Sequence, residues 1–218
     1  MEKTDTDDIS WLNAELFTKI LSKEEEITIS IKALDVKPAI SEGENFLGVL
    51  YRVTAEYENP NGIILHKSYI VKTPPSEQTC QNFLIQIKGT EKELLIYKYI
   101  LPAMNKYMES TKQISPFAAK YFKTDKTDTI ILEDLKYLGY KMADRQIGLN
   151  LDHCKVTIRK LAQFHALSRK LYETNPELID KFREGFYARC DENYTTMNKY
   201  FETKMADLVS EIKKMANL

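Results

Sequence analysis

Residues 41–72 read SEGENFLGVLYRVTAEYENPNGIILHKSYIVK. Gly43 and Gly48 punctuate a loop that leads into the alternating run Val49–Tyr57. Asn59-Pro60-Asn61-Gly62 is a turn signal, and Ile63–Val71 is a second β-rich run that stops at Lys72. The pattern predicts a hairpin with a glycine-bearing loop at one end and a lysine near the end of its return strand. Glycine lets backbone amides approach an anion closely, because no Cβ intervenes and positive φ is cheap. An ammonium on the neighbouring strand adds a point charge for the same anion. The combination suits a nucleotide triphosphate. It is also the form of an ordinary hairpin, and on spacing alone that plainer reading is the commoner one.

Upstream, apolar residues at Trp11, Leu12, Leu16, Ile20 and Leu21 predict an amphipathic helix over 11–21, with Ser10 as its N-cap. Glu26–Val36 alternates (Ile27, Ile29, Ile31 against Thr28, Ser30, Lys32) and reads as a half-buried strand. With the hairpin it makes a three-stranded antiparallel meander. Downstream, Pro74-Pro75 ends the third strand, and Thr79–Tyr107 is helical in character with breaks expected at Gly89 and near Pro102. Glu93, Ile96, Tyr97 and Ile100 fall on one helical stripe. A carboxylate heading an apolar stripe faces the protein and calls for a cation, for which Lys72 is the candidate. The alternative is a solvated Glu93 at the stripe's edge.

Phe117–Phe122 and Thr129–Glu133 read as two short strands, giving a five-stranded sheet with a helix on one side. After residue 135 the pattern turns helical. Leu151–Leu171 forms one helix with Cys154, Ile158, Leu161, Ala162 and His165 facing inward, and Pro176–Arg183 and Asn193–Ala216 form others. The expected organisation is a flexible tail over 1–10, an α+β lobe over 11–135 and a helical lobe over 136–218.

Composition narrows the function. Hydrophobic residues at 43% and charged residues at 29% describe a globular chain. A net charge of −1, without a basic run interleaved with aromatics, argues against nucleic acid as a partner. Cys80, Cys154 and Cys190 are far apart and odd in number, and with His66, His153 and His165 they form no zinc spacing. The acidic N-terminus is unlike a targeting peptide, and no apolar run approaches membrane-spanning length. A cytoplasmic protein without a membrane partner is expected.

The order SEGENFLG, YIVK, KELLIYKYILP, TIILEDL, LAQFHALS resembles the insect ecdysteroid-kinase-like family, also called CHK kinase-like. That family belongs with the choline and aminoglycoside kinases in the protein-kinase-like fold. The resemblance runs from Trp11 to about Leu171 and rests on five motifs in order. It implies a kinase-like N-lobe, a five-stranded antiparallel sheet plus helix, followed by a truncated helical C-lobe. It implies ATP as cofactor, with Mg²⁺, and a small-molecule alcohol, ecdysteroid-like, as acceptor. By the same resemblance Gly43, Glu44 and Asn45 lie in the loop over the β- and γ-phosphates. Lys72 matches the lysine that grips the α- and β-phosphates, and Glu93 the helix glutamate that holds it. Glu133, Asp134 and Leu135 match the hinge whose backbone meets adenine. His165 matches a histidine expected to be buried and structural.

Two departures qualify this. The family carries a tyrosine, a variable residue and a serine after GEN, where this chain has Phe46, Leu47 and Gly48; a possible phosphate contact is lost. More consequential, no His-x-Asp occurs anywhere, and after His165 the only aspartates are Asp180, Asp191 and Asp207. The HGD-type catalytic loop and the DFG- or DFQ-like metal site are thus missing from the sequence, so no catalytic residue and no metal ligand is assigned. Losing one critical electrostatic contact in phosphoryl transfer costs on the order of a hundredfold or more in rate. The chain is therefore expected to be inactive alone, as an incomplete record of a longer small-molecule O-kinase. The alternative is a truncated, non-catalytic interaction module, whose helices from Leu151 onward would expose apolar faces.

Overall fold

The computed structural model describes residues 9–40, 48–109, 116–144, 146–183 and 192–215. Helix α1 (Ala14–Glu25) begins at Asn13, whose Oδ1 accepts from the Leu16 amide at 3.1 Å, and ends where Glu26 turns left-handed at φ 55°. The cap is therefore Asn13 and not Ser10, and the helix starts and ends later than the apolar pattern suggests. A carboxamide in extended backbone satisfies an amide that the first turn leaves without a helical partner.

Strands β1 (Ser30–Pro38), β2 (Val49–Glu58) and β3 (Ile64–Thr73) form the expected antiparallel meander. The β2–β3 turn is closed by Asn59, whose Oδ1 accepts from the amides of Asn61 and Ile63, both at 3.0 Å. Gly62 there takes φ 75°, a conformation that costs glycine little. In β1 the register shifts between Ile31 and Ala33. That bulge moves the core-facing phase from Ile29 and Ile31 to Leu34 and Val36. Ile27, expected inside, is exposed.

Strands β4 (Tyr121–Phe122) and β5 (Ile130–Glu133) are shorter than their sequence runs and complete a sheet of order β1-β2-β3-β5-β4. Alternation sorts its two faces. Tyr51, Val53, Ala55 and Tyr57 of β2, Tyr69 and Val71 of β3, Phe122 and Ile131 form one core with Phe17, Ile20 and Leu21 of α1. Phe17 and Phe122 flank Tyr69 with ring centroids 5.1 and 5.0 Å away. The opposite phase carries Leu50, Arg52, Ile70 and Lys72, and it is there that a second helical layer arrives.

This layer runs α2 (Gln78–Gln86), α3 (Gly89–Leu95), a π-turn (Ile96–Ile100) and α4 (Leu101–Glu109). The break before Gly89 is present, with Lys88 at φ 52°. The break expected near Pro102 is not. Proline in a regular helix clashes with the carbonyl four residues back and removes a donor. Here the Leu101 amide bonds instead to the Ile96 carbonyl, five residues back, and the widened turn admits Pro102 without ending the helix.

Helix α5 (Leu151–Thr174) packs on α4 through Phe164, Leu167 and Leu171, which join Ile100 and Met104 in a second core. The positions expected to face inward are outward instead: His165 and Ala162 are exposed, as are Ile158 and Leu161, and Cys154 is only partly covered. The pattern had two apolar stripes, and the pair of aromatic and leucine rows nearer the C-terminus won because they meet the apolar face of α4. Short α6 (Pro176–Asp180) follows, and α7 (Glu192–Met215) shows exposed side chains over 199–214.

Removing the Phe17 ring should cost about 3–5 kcal/mol, the range for emptying a buried aromatic site, read as a fall in the urea midpoint of Phe17→Ala. Tyr69 predicts the reverse sign. Its hydroxyl is buried without a hydrogen-bond partner among the described residues. Tyr69→Phe should leave the midpoint unchanged or raise it, because an unsatisfied polar atom is removed at little cost in shape.

Candidate functional site

Lys72 stands opposite Leu50 in β2 and Ile130 in β5, and strand parity directs it away from α1. Glu93 sits in the second turn of α3. That helix can start so close to α2 because position 89 is glycine: a Cβ there would lie 2.8 Å from Leu84 Cδ2. Lys72 Nζ and Glu93 Oε2 are 2.6 Å apart, with side chains 27% and 34% exposed. A pair this accessible to solvent contributes roughly 0–1 kcal/mol to stability. The pair's consequence is geometric: it holds a flexible ammonium in one place on an open sheet face.

Gly48 packs directly against this lysine. A Cβ at 48 would lie 2.8 Å from the Thr73 carbonyl oxygen and 3.3 Å from Lys72 Cε. The residue that departs from the family's serine is thus required here by close approach of β2 to Lys72. Gly43, Glu44 and Asn45 lie outside the described residues.

The second part of the site lies at the end of β5. Asp134 is the one charged residue among the described residues that is buried, at 2% exposure. Its Oδ2 accepts from Arg52 Nε at 2.6 Å and from Ser68 Oγ at 2.8 Å, and its Oδ1 accepts from the Lys136 amide at 3.1 Å. Burial raises the carboxyl's pKa, but the hydrogen bonds from Arg52 and Ser68, together with the guanidinium charge, outweigh it and hold the group below its ordinary value. The backbone is fixed as well: the Glu133 amide donates to the Lys120 carbonyl, the Asp134 amide to Ser68, and the Leu138 amide to the Asp134 carbonyl. The Leu135 amide, by contrast, has no acceptor among the described residues. Leu135 is half-buried, and the Tyr137 amide in the same turn likewise has no acceptor among the described residues.

Sequence reasoning placed Lys72, Glu93, Glu133, Asp134 and Leu135 at the site; the structure sets the first two in contact, and the last three run from the end of β5 into the turn that follows. It missed Arg52 and Ser68. Arg52 shows as a cation between Tyr51 and Val53 in a strand, on the phase opposite the core. Its partner lies 82 positions away, so no local signal names it. Glu133 lines a cavity of about 630 Å³ with Tyr97, Lys98 and Tyr121 beside β4. Tyr121 stands opposite Leu132, which stands opposite Ile70, so this wall of the cavity lies on the sheet face that bears Lys72. His165, expected to be buried and structural, is exposed, its ring against Phe164. Its position among core residues in sequence was the misleading signal.

The partly exposed lysine–glutamate pair and the Cβ-free approach at Gly48 are chemically compatible with a polyphosphate. Magnesium is a different matter: among the described residues no group of three or more His, Cys, Asp or Glu side chains converges to hold a metal ion, so no step is derived through one. No described helix is long and apolar enough to cross a membrane.

A five-stranded antiparallel sheet, a helix carrying a glutamate to its third strand, and helices beyond define a mixed α+β, kinase-like fold. The sequence model of the ecdysteroid kinase-like family matches residues 42–218, and the chain belongs to that family. Neither the curated proteins nor the solved structures compared with it contain a match.

The depressed carboxyl of Asp134 gives a pH prediction. A lowered folded-state pKa contributes stability that is complete above the unfolded value of about 3.9 and is lost as pH falls through the lower folded value. Asp134→Asn should therefore melt below the wild type at pH 7, and the gap between them should close as unfolding is followed from pH 5 towards pH 2.

Proposed function

We propose that this chain is the nucleotide-binding portion of a cytoplasmic, ATP-dependent small-molecule O-kinase, with an ecdysteroid-like alcohol as acceptor. The observation that carries this reading is the Lys72–Glu93 pair, 2.6 Å across an open sheet face. Lys72 holds the α- and β-phosphates as a point charge, and Glu93 keeps the ammonium from wandering when no phosphate is there. Gly48 leaves room for the lysine stem, and the Leu135 amide meets the base. Bound MgATP would supply the transferable γ-phosphoryl group. The carboxylate that would take the acceptor's proton is not assigned, since no His-x-Asp occurs in the sequence. The chain alone therefore binds nucleotide without turning it over.

A second reading, a non-catalytic interaction module, is supported by the apolar row on α5. Leu151, Ile158 and Leu161 are 70%, 65% and 52% exposed and recur at helical spacing. Under it the chain self-associates or captures a partner through that row. Light scattering on the purified chain should show concentration-dependent association that Ile158→Glu with Leu161→Glu reduces; a clean monomer at high concentration counts against this reading.

The nucleotide reading is tested by thermal melting. ATP, with or without magnesium, should raise the melting temperature, by linkage about 2.7 kcal/mol at a hundredfold excess over Kd. Lys72→Met should abolish the rise while melting within a few degrees of wild type in buffer, because the pair itself stabilises little. No shift in a cooperatively folded wild type overturns it.

A further inference from the structure

Every side chain of α7 from 199 to 214 is exposed. Phe201, Met205, Leu208 and Ile212 follow one another in steps of four, three and four residues, and about half of each side chain faces water. That alternation lays an apolar seam along one side of a helix, the pattern by which two helices interlock their side chains. Tyr200 and Val209 extend the stripe, one on each flank. A continuous apolar stripe of this kind marks a surface that another surface covers. Charge says which one. Lys204 and Glu211 are seven residues apart and so stand on the same flank of the seam. Their intrahelical partners, Asp207 at 3.3 Å and Lys214 at 2.7 Å, form exposed pairs that water screens and that exchange at little cost.

Set against a second α7 running the opposite way, the seam overlaps completely in one register. Phe201 then meets Ile212 of the second copy, and Met205 meets its Leu208. In that register Lys204 of each copy lies across from Glu211 of the other, and a two-fold axis makes the attraction occur twice. Parallel helices would set Lys204 across from Val209 instead and form no such pair. The face is complementary to itself in one direction only.

We propose that α7 is a self-association surface: two copies of this chain pair through Phe201, Met205, Leu208 and Ile212 with their helices antiparallel, and Lys204 with Glu211 sets the direction. The pairing needs neither the Lys72–Glu93 site nor the apolar row of α5. Six half-exposed side chains from each copy bury on the order of 1,000 Å² in all, the low end for a specific interface, so the dimer is a weak and reversible one.

The experiment is sedimentation equilibrium of the full chain over a range of concentrations, with Leu208→Asp, Lys204→Glu and Glu211→Lys beside the wild type. The wild type should show a monomer–dimer equilibrium, and Leu208→Asp should be monomeric. Each charge reversal turns two attractions into two repulsions and should weaken the dimer by about five- to tenfold. An equimolar mixture of Lys204→Glu and Glu211→Lys should regain the wild-type affinity, because every reversed charge then meets its opposite on the other copy. High salt should narrow these differences. All three positions are exposed, so thermal melts of the variants should match the wild type and rule out unfolding as the cause. A wild type that stays monomeric, or assembles beyond a dimer, overturns the proposal. So does a dimer that survives Leu208→Asp, or a mixture that associates no better than either variant alone. Association that Ile158→Glu with Leu161→Glu abolishes and Leu208→Asp leaves intact assigns the contact to α5 and overturns it as well.

Discussion

The parity of strand β3 is the constraint from which the rest follows. β3 pairs with β2 on one side and β5 on the other, so its register cannot slip without breaking two ladders. Tyr69 and Val71 enter the core under α1, which forces Ser68, Ile70 and Lys72 to the opposite face. A one-residue slip would drive an ammonium into a core built of Phe17, Leu21 and Phe122, and would strip Tyr69 from between its aromatic neighbours. The hydrophobic core thus fixes where the polar site stands. From Ser68 to Lys72 the strand advances roughly 13 Å, so one strand places the Asp134 anchor and the Lys72–Glu93 pair on a single face.

Two carboxylates serve this face under opposite conditions. Glu93 is a third exposed and meets a third-exposed lysine; water screens the pair, and either partner can exchange it for a ligand at little cost. Asp134 is buried with its partners fixed by two strands, where breaking the pair would leave an uncompensated charge. The first suits a group that must yield to an incoming phosphate. The second suits a group that must not move at all. Burial, more than charge, separates the two roles.

Much of this was legible in the chain itself. The meander could be read because β2 and β3 alternate cleanly and Asn59–Gly62 has turn chemistry that acts locally. Lys72 and Glu93 could be read because a motif order linked them, although nothing local proves a contact across the sheet. What escaped reading was non-local or degenerate. Asn13 and Ser10 are both competent caps, and three residues separate them. Helix α5 carries two apolar rows, and only the shape of α4 selects Phe164, Leu167 and Leu171 over Ile158, Leu161 and His165. Pro102 signalled a break, but a π-turn absorbs it, and the choice between breaking and widening depends on packing that Ile100 and Met104 make later in the fold.

Arg52 shows most clearly what a sequence withholds. In isolation it is a lysine-like cation on the solvent phase of a strand, and a surface role is the natural expectation. Its Nε instead reaches a carboxylate 82 residues later, at the point where the sheet hands the chain to the helical region. The planar guanidinium matters there, because it can bond the carboxylate in a fixed orientation where an ammonium would only neutralise it. A strand residue thereby governs the geometry of a distant turn. The geometry of that turn is for this reason a property of β2, β3 and the turn together, and it becomes visible only once the sheet has brought them into contact.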